Sequence, residues 1–171
     1  MMKRQPRGQS LVEMAFVTPF IFILIFGIID LAFYIYSYAT IFNATRDAAE
    51  AAAQVPPYPS KIIDETSGES IQPDATDPCV TRILSASQKI AVRFPDLYKH
   101  VLISYPNGPG SRRLGEPIEV KITYAMRPLT PLAQLVPFGN GGMLTMTATT
   151  RRSIEALGED PKADNLIGCQ P

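Results

Sequence analysis

Gly8-Gln9-Ser10-Leu11-Val12-Glu13-Met14-Ala15-Phe16-Val17-Thr18-Pro19-Phe20-Ile21-Phe22-Ile23-Leu24-Ile25-Phe26-Gly27-Ile28-Ile29-Asp30 is the stretch on which the reading of this chain turns. From Met14 to Ile29 it holds no charged side chain. Past Asp30 an apolar, aromatic-rich run continues as Leu31-Ala32-Phe33-Tyr34-Ile35-Tyr36-Ser37-Tyr38. A helix needs about 20 mostly apolar residues to cross the hydrocarbon core, and this run supplies them. A single transmembrane helix is expected. Lys3, Arg4 and Arg7 precede it, and basic residues beside a span stay on the cytoplasmic side. Tyr34, Tyr36 and Tyr38 mark the other end, where amphipathic rings favour the membrane-water boundary. The amino terminus is therefore expected inside, and the chain beyond Thr40 outside.

A cleaved secretory signal would share the basic leader. Its apolar core is usually about 7–15 residues, shorter than this run. The nearest A-x-A site, Ala51-Ala52-Ala53, also lies far beyond the end of the apolar segment. The membrane anchor is the better reading.

Glu13 is what an ordinary anchor does not explain. A carboxylate at the mouth of a membrane helix costs a few kcal/mol, about 2.5–3.5 at the centre of a span, unless it is paired or reaches water. Basic residues, a glycine and four uncharged residues stand in front of it, and the segment resembles the processing site of a type IV-like prepilin. Arg7-Gly8-Gln9-Ser10-Leu11-Val12-Glu13, with Pro19 and Gly27-Ile28-Ile29-Asp30 downstream, resembles the TadE family. These are minor pilins, or pseudopilins, of tight-adherence (Tad) pilus systems. The resemblance implies cleavage between Gly8 and Gln9 by a prepilin peptidase, leaving Glu13 as the fifth residue of the mature chain. It further implies an inner-membrane, single-pass protein that works with other minor pilins and with the Tad inner-membrane platform to build an adhesive filament. The stem Asn43-Ala44-Thr45-Arg46-Asp47-Ala48-Ala49-Glu50-Ala51-Ala52-Ala53 fits the same family. Met14 departs from the Tyr that follows the glutamate in the major pilins of these systems, which points to a minor rather than a major subunit.

Composition narrows the rest. Sixteen basic residues balance sixteen acidic ones, so neither a nucleic-acid surface nor an acidic disordered tail is expected. No cofactor and no small-molecule substrate is implied. Cys79 and Cys169, both on the outer side, favour a disulfide in an oxidising compartment. Closing a loop of about 90 residues is worth up to about 4–5 kcal/mol in the chain-entropy model. Two unpaired thiols are the alternative. Two cysteines so far apart, without a histidine cluster, do not make a zinc site.

The alanine cluster has no breaker before Pro56 and Pro57, so the helix should continue from the membrane to Val55, about 70 Å at 1.5 Å per residue. Pro19 can kink it. Residues 56 to 77 read as an extended surface loop. Asp77-Pro78 offers a cap and a first-turn proline for a second helix, with Ile83, Leu84, Ala86, Ile90, Ala91 and Phe94 on one face and Pro95 as its stop. Val101, Ile103 and Tyr105 alternate as a strand. In a clearer strand Ile118, Val120, Ile122, Tyr124 and Met126 face one way, and Glu119, Lys121, Thr123 and Ala125 the other. Pro128 to Leu135 suggests a short helical turn, Gly139 to Gly142 a hairpin turn, and Met143 to Ile154 a third strand. The tail from Glu159 to Gln170 reads as irregular, tied down by Cys169. The expected fold is α+β: a leader (1–8), a transmembrane helix with stem (9–55), and a head (56–171) of one helix and about three antiparallel strands. That arrangement resembles pilins. Val120 to Tyr124, Arg127 to Leu132 and Thr147 to Arg151 also resemble the carboxy-terminal half of TadE-like proteins.

Glu13 and Asp30 are the candidate assembly residues. The Glu13 carboxylate can neutralise the new amine on Gln9, its own or a neighbour's, and a low-dielectric setting strengthens that pair. Asp30 needs a partner: either a basic group on another small pilin or on the platform, or the outer headgroups. Gly27 would allow close helix approach. The glycine cluster at 139–142 lacks the Gly-Lys-Ser/Thr of a phosphate loop. His100 has no nucleophile to serve in sequence and reads as a partly buried structural residue, and Arg151-Arg152 as a solvated strand end. A membrane-anchored enzyme or binding protein that keeps its first eight residues is the rival class, and no convergent catalytic set supports it.

Overall fold

The structure, a computed structural model, describes residues 9–63, 71–131, 143–157 and 169. Its order is α1 (Gln9–Gln54), α2 (Pro78–Ile90), β1 (Val101–Ser104), β2 (Pro117–Met126) and β3 (Leu144–Ser153), with short 3₁₀ turns at Pro59–Lys61, Leu97–His100 and Pro109–Ser111. Among the described residues the fold is α+β, with one long apolar helix, one further helix and a three-stranded antiparallel sheet. The chain divides into two units, Met1–Tyr36 with Met126–Leu144, and Ser37–Ala125 with Thr145–Pro171.

In the first unit, α1 runs unbroken through Pro19. Its side chains face outward all round. Leu11, Phe16, Phe20, Leu24 and Ile28 are each more than half exposed. Among the described residues, none of its most apolar window, of mean hydropathy 2.4, is buried. This helix is long and apolar enough to cross a membrane.

The second unit begins where that pattern stops. Ser37, Ile41, Ala44, Thr45, Ala48, Ala49, Ala52 and Ala53 are buried at helical spacing, so the stem of α1 is one wall of a core. Alanine suits that wall, combining the highest helix propensity with a small side chain. Asp77 caps α2, its Oδ1 accepting from the backbone N–H groups of Cys79 and Val80, both at 2.9 Å. Pro78 occupies the first turn, where its missing N–H costs nothing. The buried face of α2 is Cys79, Val80, Ile83, Leu84 and Ser87, and Ile90 turns outward. The helix ends at Ile90, ahead of Pro95. Beyond it Gln88 Nε2 donates to the carbonyls of Ala91 and Phe94, drawing the chain into a turn that buries both residues.

The sheet order is β1-β2-β3. Val101 lies opposite Ile122 and Ile103 opposite Val120 in an antiparallel pair. Ile118, Val120, Ile122 and Met126 of β2 are buried, as are Met146 and Ala148 of β3, as the alternation of those strands requires. The opposite face carries cross-strand polar pairs: Thr123 with Thr147 at 3.3 Å, and Arg151 with Glu119. Arg151 is thus an ion-paired residue as well as an exposed one.

The segment after α1 differs from an open surface loop. Ile62 and Ile63 are buried, and the backbone of Ile71 returns to the Ile62 carbonyl at 2.9 Å. Two adjacent isoleucines leave water because the burial is worth roughly 1.5–3 kcal/mol each. The expected helical turn from Pro128 is irregular chain as far as Pro131, and residues 132–135 lie outside those described. The glycine cluster at 139–142 and the tail from 159 to 168 and at 170 also lie outside them.

Candidate functional site

The amino-terminal part of α1 presents Glu13 on its surface, flanked by the exposed Leu11, Val12 and Met14. Gly8 lies outside the described residues, and Gln9 opens the helix. One turn on, the Thr18 hydroxyl donates back to the Met14 carbonyl at 2.6 Å, so this side chain brings its own acceptor into an apolar setting. Gly27 faces open space, and a Cβ placed there would meet nothing within 4 Å.

Asp30 has the partner that sequence demanded, but the partner is in its own chain. Its Oδ1 accepts from the backbone N–H groups of Leu129 and Thr130, each at 3.0 Å, and its Oδ2 accepts from the Thr130 hydroxyl. Two amides and a hydroxyl converge on one carboxylate, as at a helix cap. Two of the three neutral donors are backbone groups that no side-chain pattern advertises, so sequence reasoning, looking for a cation or a headgroup, missed Leu129 and Thr130.

At the other end of α1, four chain segments meet. The last carbonyls of a helix lack intrahelical donors. Here the Ala53 carbonyl accepts from Glu155 N at 2.8 Å and from Ala156 N at 3.2 Å, as the chain leaves β3. Arg112 binds the next segment: its Nε donates to the Pro56 carbonyl and its Nη2 to the Leu157 carbonyl, both at 3.0 Å. The guanidinium also lies 4.1 Å from the centre of the Tyr58 ring. Tyr105 donates its hydroxyl to the Pro57 carbonyl at 2.6 Å. Burial pushes that phenol well above its ordinary range, and the nearby Arg112 charge opposes the shift. Cys79, in the first turn of α2, is joined to Cys169 with their Cα atoms 5.2 Å apart. The disulfide joins positions at a sequence separation of 90.

Other sequence candidates are brought nowhere near a reaction centre. His100 is exposed, in place of the partly buried position expected, and its ring meets Tyr124 edge-on at 5.2 Å. Among the described residues no group of three or more His, Cys, Asp and Glu side chains is placed to hold a metal ion.

The family comparison falls on the helix. Residues 8–50 match the family model of TadE-like proteins. The TadE-like segment covers the Gly8–Glu13 motif, the whole outward-facing apolar surface, Asp30 and most of the buried alanine stem. No curated protein and no solved structure matches the chain. The TadE-like family is a family of pilus components and not of enzymes.

Proposed function

We propose that this protein is a minor pilin or pseudopilin of a Tad-type pilus system. In this reading a prepilin peptidase cuts between Gly8 and Gln9, removing the leader 1–8. Residues 9–55 then form the transmembrane helix that anchors the chain in the inner membrane and the stem that extends it, and the head 56–171 stands on the extracytoplasmic side. The mature subunit joins other minor pilins and the membrane platform to initiate or support an adhesive filament. Glu13 supplies the counter-charge to the Gln9 amine. Asp30 contributes to assembly by holding the segment after β2 in place on α1.

The observation that carries this reading is the coincidence of the TadE-like match with a helix long and apolar enough to cross a membrane, unburied in its most apolar window among the described residues. Such a surface needs lipid or other helices around it. The test is mass spectrometry of the amino terminus of protein recovered from cells with an active prepilin peptidase. The expected product begins at Gln9. A chain that still begins at Met1 or Met2 in those cells would overturn the proposal.

A further inference from the structure

The Asp30 clasp carries an inference about the membrane surface that rests on reading α1 as the membrane anchor. The loop it holds, Arg127 to Pro131, is irregular, with prolines at both 128 and 131. Arg127, Leu129 and Pro131 are exposed, Leu129 by 58%, so among the described residues nothing encloses this backbone. Irregular backbone that is not enclosed cannot lie in hydrocarbon, because its polar groups would go unsatisfied. The loop therefore excludes Asp30, to which it is bonded, from the hydrocarbon core.

Length places the boundary. From Gln9 through Ile29 the helix rises about 31 Å, which matches a core about 30 Å thick. The core then ends at Asp30. Beyond it the headgroup layer adds several ångströms, about one helical turn and more, reaching Tyr34. Leu31 is exposed by 59% and Ile35 by 60%, so apolar side chains continue into this layer beside Tyr34 and Tyr36, as interfacial residues do.

We propose that the Arg127–Pro131 loop is a phospholipid-contacting surface, clasped by Asp30 to α1 at the membrane boundary farther from Gln9. Arg127 meets headgroup phosphates, and Leu129 enters the boundary between headgroups and acyl chains. Asp30 is a positioning residue: it fixes the depth of the loop and thereby of the chain that leaves β2. A charge that insertion would penalise thus becomes the marker at which the span stops.

The protein contains no tryptophan, so a single introduced one reports its own depth. The full-length chain carrying Leu129→Trp is reconstituted in phosphatidylcholine–phosphatidylglycerol vesicles with bromine atoms either near the headgroup or near the chain ends. Phe22→Trp, in a separate sample, reports the span. The expected result is strong quenching of the residue-129 probe by shallow bromines and weak quenching by deep ones, with the reverse preference at position 22. Adding Asp30→Ala should abolish the shallow quenching at 129 and leave the signal at 22 unchanged. Water-like, unquenched emission at 129 alongside deep quenching at 22 would sink the loop proposal and leave the anchor standing. Shallow quenching at 129 that survives Asp30→Ala would overturn the clasp. Loss of quenching at position 22 would instead overturn the membrane anchor itself.

Discussion

The hydroxyl of Tyr105 donates to the carbonyl of Pro57 at 2.6 Å, joining the residue just after β1 to the chain just after α1. Pro56 and Pro57 stop the helix, and as buried residues outside any regular element their own carbonyls need donors. Arg112 supplies one to Pro56 and Tyr105 another to Pro57. The stem is therefore fixed to the sheet by polar bonds at its end as well as by the alanine stripe along its side.

Tyr105→Phe removes this bond and leaves the Pro57 carbonyl short of a donor, so the folded state should lose about 1 kcal/mol at neutral pH. The phenol's folded pKa is raised above its unfolded value of about 10. A raised value means that the bond contributes fully below about pH 10 and is lost as pH rises above it. Wild type should therefore lose stability in alkali more steeply than Tyr105→Phe. Urea unfolding of both proteins in detergent, at neutral pH and above pH 10, checks this. Parallel pH curves would refute it.

The Asp77 cap can be tested separately. Asp77→Ala leaves the Cys79 and Val80 amides without their acceptor, and losing a cap costs about 0.5–2 kcal/mol. Asp77→Asn, which keeps an acceptor, should recover most of the loss. If thermal unfolding finds both substitutions equally harmful, the charge or the buried volume matters and not the cap.

How much of this was legible in sequence depends on which groups carry the signal. Hydrophobic period gave β2 and its buried face, because Ile118, Val120 and Ile122 alternate with residues of opposite character. Side-chain chemistry gave the α2 start, because Asp-Pro combines an acceptor with a residue lacking its own donor. The end of α2 was misplaced, because Gln88 binds carbonyls that follow the helix, and nothing in its neighbours' polarity announces this. Asp30 shows the same limit. Its need for a partner was readable from desolvation, but its identity was not, since two of its three donors are main-chain groups, 99 and 100 residues away. Arg112 carried no signal either: an arginine in a turn reads as solvated until the fold brings two carbonyls to it.

The Cys79–Cys169 bond lends itself to a direct test. The oxidised chain should migrate faster than the reduced one, and unfolding without reductant should expose no free thiol. Cys79→Ser should lower stability by about 2–5 kcal/mol, as for other natural disulfides of small secreted domains. The same change should reduce the amount of protein that accumulates. Alkylation of both cysteines without prior reduction would contradict the pairing.

Gly8 and Glu13 lie on opposite sides of the proposed cut, so their contributions separate. Cleavage requires the peptidase to approach the backbone closely, and Gly8 has no side chain to obstruct it. Gly8→Val should block processing and leave the full-length precursor in the membrane. Glu13 is beyond the cut and exposed on α1, so Glu13→Ala should leave much of the cleavage intact. It removes the counter-charge to the Gln9 amine, and an unpaired ammonium in a low-dielectric layer is costly. The mature Glu13→Ala subunit should therefore be inserted but fail to co-purify with its pilin partners, and pilus counts should fall. Glu13→Asp keeps the charge on a shorter arm and should restore part of the association. Amino-terminal mass spectrometry reads the first step, while co-purification and pilus counts read the second. If Glu13→Ala is processed and assembles like wild type, the carboxylate is an interfacial residue and not an assembly contact.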